Sequence, residues 1–140
     1  MSTLFTKIIE GDIPGRFVWR DDEVVAFLTI NPITPGHTLV VPVAEVDHWL
    51  DLPTPLAQRC MSVSQVVGQA QMAAFSPTRI GMIIAGLEVP HTHLHVIPID
   101  SESDLSFAKA DPSPDPVALD EAAEALRAAL RSIGRTEVSE

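Results

Sequence analysis

His91-Thr92-His93-Leu94-His95-Val96-Ile97-Pro98 alternates imidazoles with other side chains, most of them apolar, and the rest of the chain is read outward from it. In an extended strand, residues two apart point to the same side. His91, His93 and His95 therefore share one face, while Thr92, Leu94 and Val96 share the other. The second set reads as core. The first does not, because packing has no use for three imidazoles in a row and each buried ring nitrogen needs a partner. The expected strand spans residues 90–98.

Upstream, Arg79-Ile80-Gly81-Met82-Ile83-Ile84 reads as a strand, joined to the histidine strand by the turn Ala85-Gly86-Leu87-Glu88. Before it, Leu56, Cys60, Val63, Val66, Val67, Ala70 and Ala74 recur every three or four residues. That is one apolar stripe of a long helix facing a sheet. Pro53 and Pro55 mark its start with Thr54 as candidate N-cap, and Ser76-Pro77 ends it. His37-Thr38-Leu39-Val40-Val41-Pro42 is a short, β-branched, buried strand. The Asn31–Gly36 stretch, with two prolines and a glycine, is a loop. Phe17–Arg20 and Val24–Leu28 form a hairpin across Asp21-Asp22. Leu4, Phe5, Ile8 and Ile9 have helical spacing and make a short first helix.

Downstream, residues 100–116 read as a loop, and Asp115 caps a last helix with Pro116 at its first position. Leu119, Ala122, Leu126, Leu130 and Ile133 form its apolar face. The expected fold is α+β, a five-stranded antiparallel sheet with a long helix on one face and a C-terminal helix. Residues 1–140 are expected to form one domain, with its core at about 3–99 and the loop and last helix at about 100–134.

Composition narrows the function. The chain carries a formal net charge of −10, and its nine Lys and Arg residues are scattered rather than clustered. Nucleic acid binding needs a basic stripe, so no nucleic-acid partner is expected. No apolar run approaches the roughly 18–20 residues of a membrane span, and Met1–Lys7 lacks the pattern of a secretory signal. The lone Cys60 allows no intrachain disulfide. A cytoplasmic address without membrane attachment is the expectation.

Three readings of the histidine row stay open on residues alone. A purely structural role is one. A metal site is another, since His-x-His pairs bind zinc, with His37 as a further ligand. Against it, the outer pair is separated by roughly 13 Å along an extended strand, too far for all three rings to converge on one ion. Phosphate chemistry is the third. Neutral imidazole is a good nucleophile near neutral pH, and a neighbouring imidazolium donates two hydrogen bonds and a positive charge. Transfer at phosphorus needs in-line positioning and stabilised non-bridging oxygens, which adjacent histidines can divide between them.

The string from His91 to Pro98 resembles the signature of the histidine triad (HIT) family, His-φ-His-φ-His-φ-φ. Val25–Pro42, containing Asn31-Pro32-Ile33-Thr34-Pro35-Gly36-His37, resembles the family's N-terminal signature, and Phe5–Pro14 is also typical. The resemblance implies a homodimer whose two sheets join edge to edge. It implies a purine nucleotide or nucleotide conjugate as ligand, cleaved at its α-phosphate to a nucleoside monophosphate, with no cofactor. His93 takes the place of the nucleophile, forming a nucleotidyl-histidine. His95 and His91 take the places that orient and bond phosphate oxygens, and His37 that of a fourth site histidine. Leu4, Phe5, Ile8, Phe27 and Ile30 fall where relatives line the base pocket, and Thr29, Asn31, Glu88 and Val89 at further nucleotide-binding places. A nucleotide-sensing or scaffolding protein with little turnover is the alternative, and a metal-dependent hydrolase a third reading.

Several positions depart from the family pattern. Zinc-bearing relatives carry Cys-x-x-Cys where this chain has Thr3 and Thr6, so the resemblance implies no structural zinc. Thr29 stands where an Asp usually holds the ribose hydroxyls. Leu87 and Glu88 replace groups that bond phosphate, and a carboxylate there is repulsive toward phosphate unless it turns away or pairs with an imidazolium. Glu88 is expected either to raise the pKa of a triad histidine or to select an unusual leaving group. His48 and both tryptophans read as structural rather than catalytic.

Overall fold

A computed structural model describes residues 2–140. The elements run α1 (Leu4–Ile9), β1 (Phe17–Arg20), β2 (Val24–Leu28), β3 (Thr38–Pro42), α2 (Thr54–Phe75), β4 (Arg79–Ile83), β5 (Leu94–Ile99) and α3 (Pro116–Ser132), with 3-10 turns at Trp49–Asp51, Glu102–Asp104 and Phe107–Lys109. The sheet is antiparallel, in the order β1-β2-β3-β5-β4. The expected α+β architecture holds.

The period-two alternation sorts each strand between two layers. Val24, Ala26, Leu28, Val40, Leu94 and Val96 join one core under α2 and α3. Val25, Phe27, Leu39 and Val41 join a second core with Phe5 of α1. The inner strands β2 and β3 are therefore buried on both faces. A bulge shifts the β1 register between Phe17 and Trp19. It sends Phe17 to the α1 layer while Val18 and Trp19 both enter the helix layer.

Four details differ from the sequence reading. The last strand starts at Leu94, not at residue 90. The β3–β5 register would next pair Val41 with His93 and then Pro42 with Thr92, but proline has no N–H for a ladder. Thr92 instead gives its N–H and hydroxyl to Val46 O, each at 2.7 Å. Second, Pro53 rather than Thr54 is the cap residue of α2, without a side-chain cap bond. Third, Ile133 lies just beyond α3 and is exposed, so the buried stripe of that helix is Leu119, Ala122, Ala123, Leu126 and Leu130. Fourth, residues 100–116 carry two 3-10 turns, and Asp111 N–H returns to Pro32 O at 2.9 Å. Asp115 caps α3 as expected, accepting from Val117 N–H.

The chain's last residues fold back on β1. Arg20 N–H donates to Glu137 O, Ser139 N–H donates to Val18 O, and Trp19 bridges Val138. This covers the outer edge of β1 and leaves β4 as the uncovered edge of the sheet among the described residues. No helix among the described residues is long and apolar enough to cross a membrane.

Candidate functional site

Three backbone devices bring the histidines together. β5 carries His95 opposite Leu39, and the irregular stretch before it carries His91 and His93. His37 immediately precedes β3. Gly36 turns the chain into it at φ +89°, and a Cβ there would overlap the Phe75 ring. Buried Gln71 of α2 then donates to Gly36 O at 3.0 Å and to Val96 O at 2.8 Å, clamping the segments that bear His37 and His95. Sequence reasoning missed Gln71. Its signal was a polar residue within the buried stripe beside Val67 and Ala70.

Each ring has a distinct set of partners, and those partners fix its tautomer. His93 Nδ1 lies 2.7 Å from His91 O. A carbonyl only accepts, so Nδ1 carries the proton and Nε2 presents a lone pair. Ile33 N–H donates to His37 Nδ1 at 3.0 Å, so the proton of His37 is on Nε2. That Nε2–H faces His95 Nδ1 at 2.9 Å. His95 Nδ1 therefore accepts, and its proton sits on Nε2. His91 Nε2 donates to Pro42 O at 2.7 Å. Its Nδ1 accepts at 2.7 Å from the Thr3 hydroxyl, which itself accepts from Thr6 N–H.

His91 is fully buried with both nitrogens engaged, so neither is free to bond a phosphate oxygen. That corrects the expectation of direct phosphate contact. Its backbone carbonyl orients His93, and its ring ties the triad to the N-cap of α1.

Burial keeps the remaining rings neutral. Desolvation lowers His37 to about 4 and His95 to about 3, with repulsion from the neighbouring histidines adding to the His95 shift. Burial also lowers His93, partly opposed by its bond to His91 O and by the Glu88 carboxylate. The site at neutral pH thus offers one nucleophilic nitrogen and one N–H donor rather than imidazolium charge.

The rings form a row. Phe5 meets His93 edge-on at 4.8 Å between centroids, His93 meets His95 at 4.9 Å, and His95 meets Phe107 at 4.9 Å. This row opens into a cavity of about 1080 Å³. Of the residues expected from sequence, His37, His93 and His95 line it, as do Leu4, Phe5, Ile8, Phe27, Thr29, Ile30, Asn31, Glu88 and Val89. His91 lies behind the wall. Thr29 accepts from Asn31 N–H at 3.2 Å and keeps a hydroxyl proton to give. The Asn31 side chain donates to Asp111 O, stitching the far wall to the post-β5 segment. That segment contributes Phe107, Ala110 and Pro112, which sequence reasoning did not assign. Phe107 had one visible signal, being the only aromatic residue after Phe75. His48 is exposed and accepts from Leu50 N–H. Trp19 is core, whereas Trp49 is exposed beside His48 and does not line the cavity. Cys60 is buried and its thiol is pushed up to about 11.

Comparison with known proteins agrees with this geometry. Residues 10–102 match the HIT domain model. An uncharacterized HIT-like protein of Borreliella burgdorferi is 36% identical over 115 residues, 77% of this chain and 83% of that protein. The asymmetrical bis(5'-nucleosyl)-tetraphosphatase of Schizosaccharomyces pombe is 35% identical, over 76% of this chain and 62% of its own length. The crystal structure of a zinc-bound histidine triad family protein from Mycobacterium smegmatis superposes with a TM-score of 0.82 at 30% identity, covering 95% of this chain and 96% of that one.

The junction of α1 with the triad does not fit zinc in this chain. Thr3 and Thr6 offer hydroxyls, Thr3 N–H is bonded to Glu45 Oε1 at 2.9 Å, and both His91 nitrogens are taken. Among the described residues no group of three His, Cys, Asp or Glu side chains is arranged to hold a metal ion. Hydrogen bonds make the tie instead. A fold with β5 against β3, a His-x-His-x-His row beside a buried fourth histidine, and a domain model that matches residues 10–102 together make the chain a member of the histidine triad family.

Proposed function

We propose that the chain is a nucleotide hydrolase that cleaves a purine nucleotide conjugate, a phosphoramidate or dinucleotide polyphosphate, at its α-phosphate. The carrying observation is the complementary wiring of His93 and His95, one free lone pair beside one free N–H. In the first step His93 Nε2 forms a bond to phosphorus as the bond to the leaving group breaks. The leaving atom keeps the electron pair and takes a proton from solvent. His95 Nε2–H donates to a non-bridging oxygen, and His37 holds it in that tautomer. In the second step a water oxygen bonds to phosphorus and its proton goes to solvent. The electron pair of the P–N bond returns to His93, and a nucleoside monophosphate is released. Leu4, Phe5, Ile8, Phe27 and Ile30 provide an apolar recess for the base, with Thr29 toward the ribose.

The relative named as a tetraphosphatase supports hydrolysis at a nucleotide phosphate. The exposed β4 edge, with half-buried Ile80 and Met82 and exposed Met61 and Met72 of α2 beside it, supports a homodimer joined through that edge. A single buried cysteine suits a reducing cytoplasm. Glu88 among the cavity-lining residues gives weight to a second reading, a nucleotide-binding protein with little turnover.

Single-turnover release of AMP from an adenosine phosphoramidate separates the two. The hydrolase reading expects release by wild type that is lost in His93→Ala and unaffected by a chelator. AMP binding with no release would favour the second reading.

A further inference from the structure

Gln71 lies in the apolar stripe of α2 between Val67 and Phe75 and is fully buried. Its Nε2 donates to Gly36 O at 3.0 Å and to Val96 O at 2.8 Å. Gly36 directly precedes His37, and Val96 directly follows His95. One amide nitrogen therefore bridges the backbone neighbours of two histidines whose rings meet at 2.9 Å. Phe75, one turn further along α2, fills the space a Cβ at Gly36 would need. The helix thus grips the His37 turn at two points.

The two carbonyls fix which end of the amide faces them. Turned over, Oε1 would oppose both oxygens. In the observed orientation Oε1 is buried with no hydrogen-bond partner among the described residues. An unpaired buried amide oxygen costs stability, and Met fills a similar volume without it. Other bonds hold the same loop. The Thr38 hydroxyl also donates to Gly36 O, at 2.8 Å. The Thr34 hydroxyl ties the loop to Pro98 O at 2.7 Å, but it sits three residues from His37, and Pro98 three from His95. Among these bonds only those of Gln71 join the residue before His37 to the residue after His95. That junction sets how His37 Nε2–H meets His95 Nδ1, and so where the His95 proton sits. Slack there lets the proton move to Nδ1 and leaves a lone pair on Nε2, which repels a phosphate oxygen.

We propose that Gln71 is a positioning residue that keeps the His95 proton on Nε2 by holding the backbone of His37 against that of β5. Its kinetic consequence rests on the hydrolase reading given above, whereas the tautomer itself does not.

The test reads the histidine ring nitrogens by NMR at neutral pH without substrate, beside kcat and KM for an adenosine phosphoramidate. In wild type His37 and His95 are both expected as Nε2–H tautomers. Gln71→Met is expected to show His95 shared between two tautomers. It should lose about thirtyfold in kcat, with KM changed less than about twofold. Gln71→Asn, whose amide is one methylene shorter, should change both readouts in the same direction and serves if the Met variant does not fold. Thr38→Val removes the other donor to Gly36 O and leaves the bridge, so its ring shifts and kcat should stay near those of wild type. A folded Gln71→Met or Gln71→Asn protein with wild-type ring shifts or wild-type kcat overturns the proposal. So does a Thr38→Val protein whose His95 shifts move as far as in Gln71→Met. If wild type turns over no phosphoramidate, the hydrolase reading falls, and the ring shifts still decide the role of Gln71.

Discussion

The two ends of the histidine row are built from the same side chain and wired oppositely. At the N-terminal end His91 is sealed between Thr3 and Pro42, with both nitrogens bonded. At the C-terminal end His95 is bonded through Nδ1 to His37, and Phe107 covers one ring edge. His93 sits between them with one nitrogen bonded to backbone and one unbonded. Which nitrogen lacks a partner, rather than which residue is a histidine, decides what each ring can do. The first end holds geometry, and the second faces the cavity.

Substitutions should separate the ends by what they damage. His93→Ala removes the nitrogen proposed to attack phosphorus, and kcat should fall by about 10⁴-fold or more, with AMP affinity changed only a few-fold by calorimetry. Next, His37→Ala frees the His95 ring to adopt the other tautomer, and kcat should fall by about 10²-fold with little change in KM. His91→Ala should instead act on the fold, since Pro42 O and the Thr3 hydroxyl both lose a buried partner. Chemical denaturation should show a loss of about 2–4 kcal/mol. The smallest effect belongs to Thr3→Val, which deletes the N-cap of α1 and the donor to His91. About 1–2 kcal/mol of stability should go, with kcat reduced less than in His37→Ala. A His91→Ala protein as stable as wild type, or a His37→Ala protein with unchanged kcat, would erase the distinction between the ends.

Acid should strain the second end. His37 and His95 are depressed to about 4 and about 3 by burial, whereas unfolded histidine titrates near 6.5. The unfolded chain therefore binds more protons than the folded one below that value. Stability from these rings is fully present above about pH 6.5 and declines as pH falls toward about 4 for His37 and about 3 for His95. Denaturant midpoints measured from pH 7 to pH 4 should fall for wild type and fall less steeply for His37→Phe. The proposed attack needs neutral His93, so the activity should keep its acid limb below pH 6.5, because burial lowers that ring too.

Much of this was legible before any coordinates. The period-two pattern correctly sent Leu94 and Val96 to the helix layer and the histidines to the other side. The β-branched run at residues 38–41 marked an inner strand buried on both faces. Limits appeared where distant residues decide a local outcome. Pro42, 50 positions before Thr92, ends the β5 ladder early, and no pattern within residues 90–98 carries that information. The partners of His91 come from Thr3 and Pro42, so its withdrawal from the cavity was invisible in the alternation. Phe107 reaches the site because Asp111 returns to Pro32 and Asn31, a closure no periodicity announces.

The central claim is that His93 Nε2, freed by the bond from Nδ1–H to His91 O, attacks phosphorus. The most direct measurement is rapid acid-free quenching during turnover of an adenosine phosphoramidate, followed by intact-mass analysis and peptide mapping of the protein. The account predicts a transient adenylyl adduct on His93, absent in His93→Ala. Turnover by wild type with no adduct at any quench time, together with a His93→Ala protein that still releases AMP at a comparable rate, would contradict it.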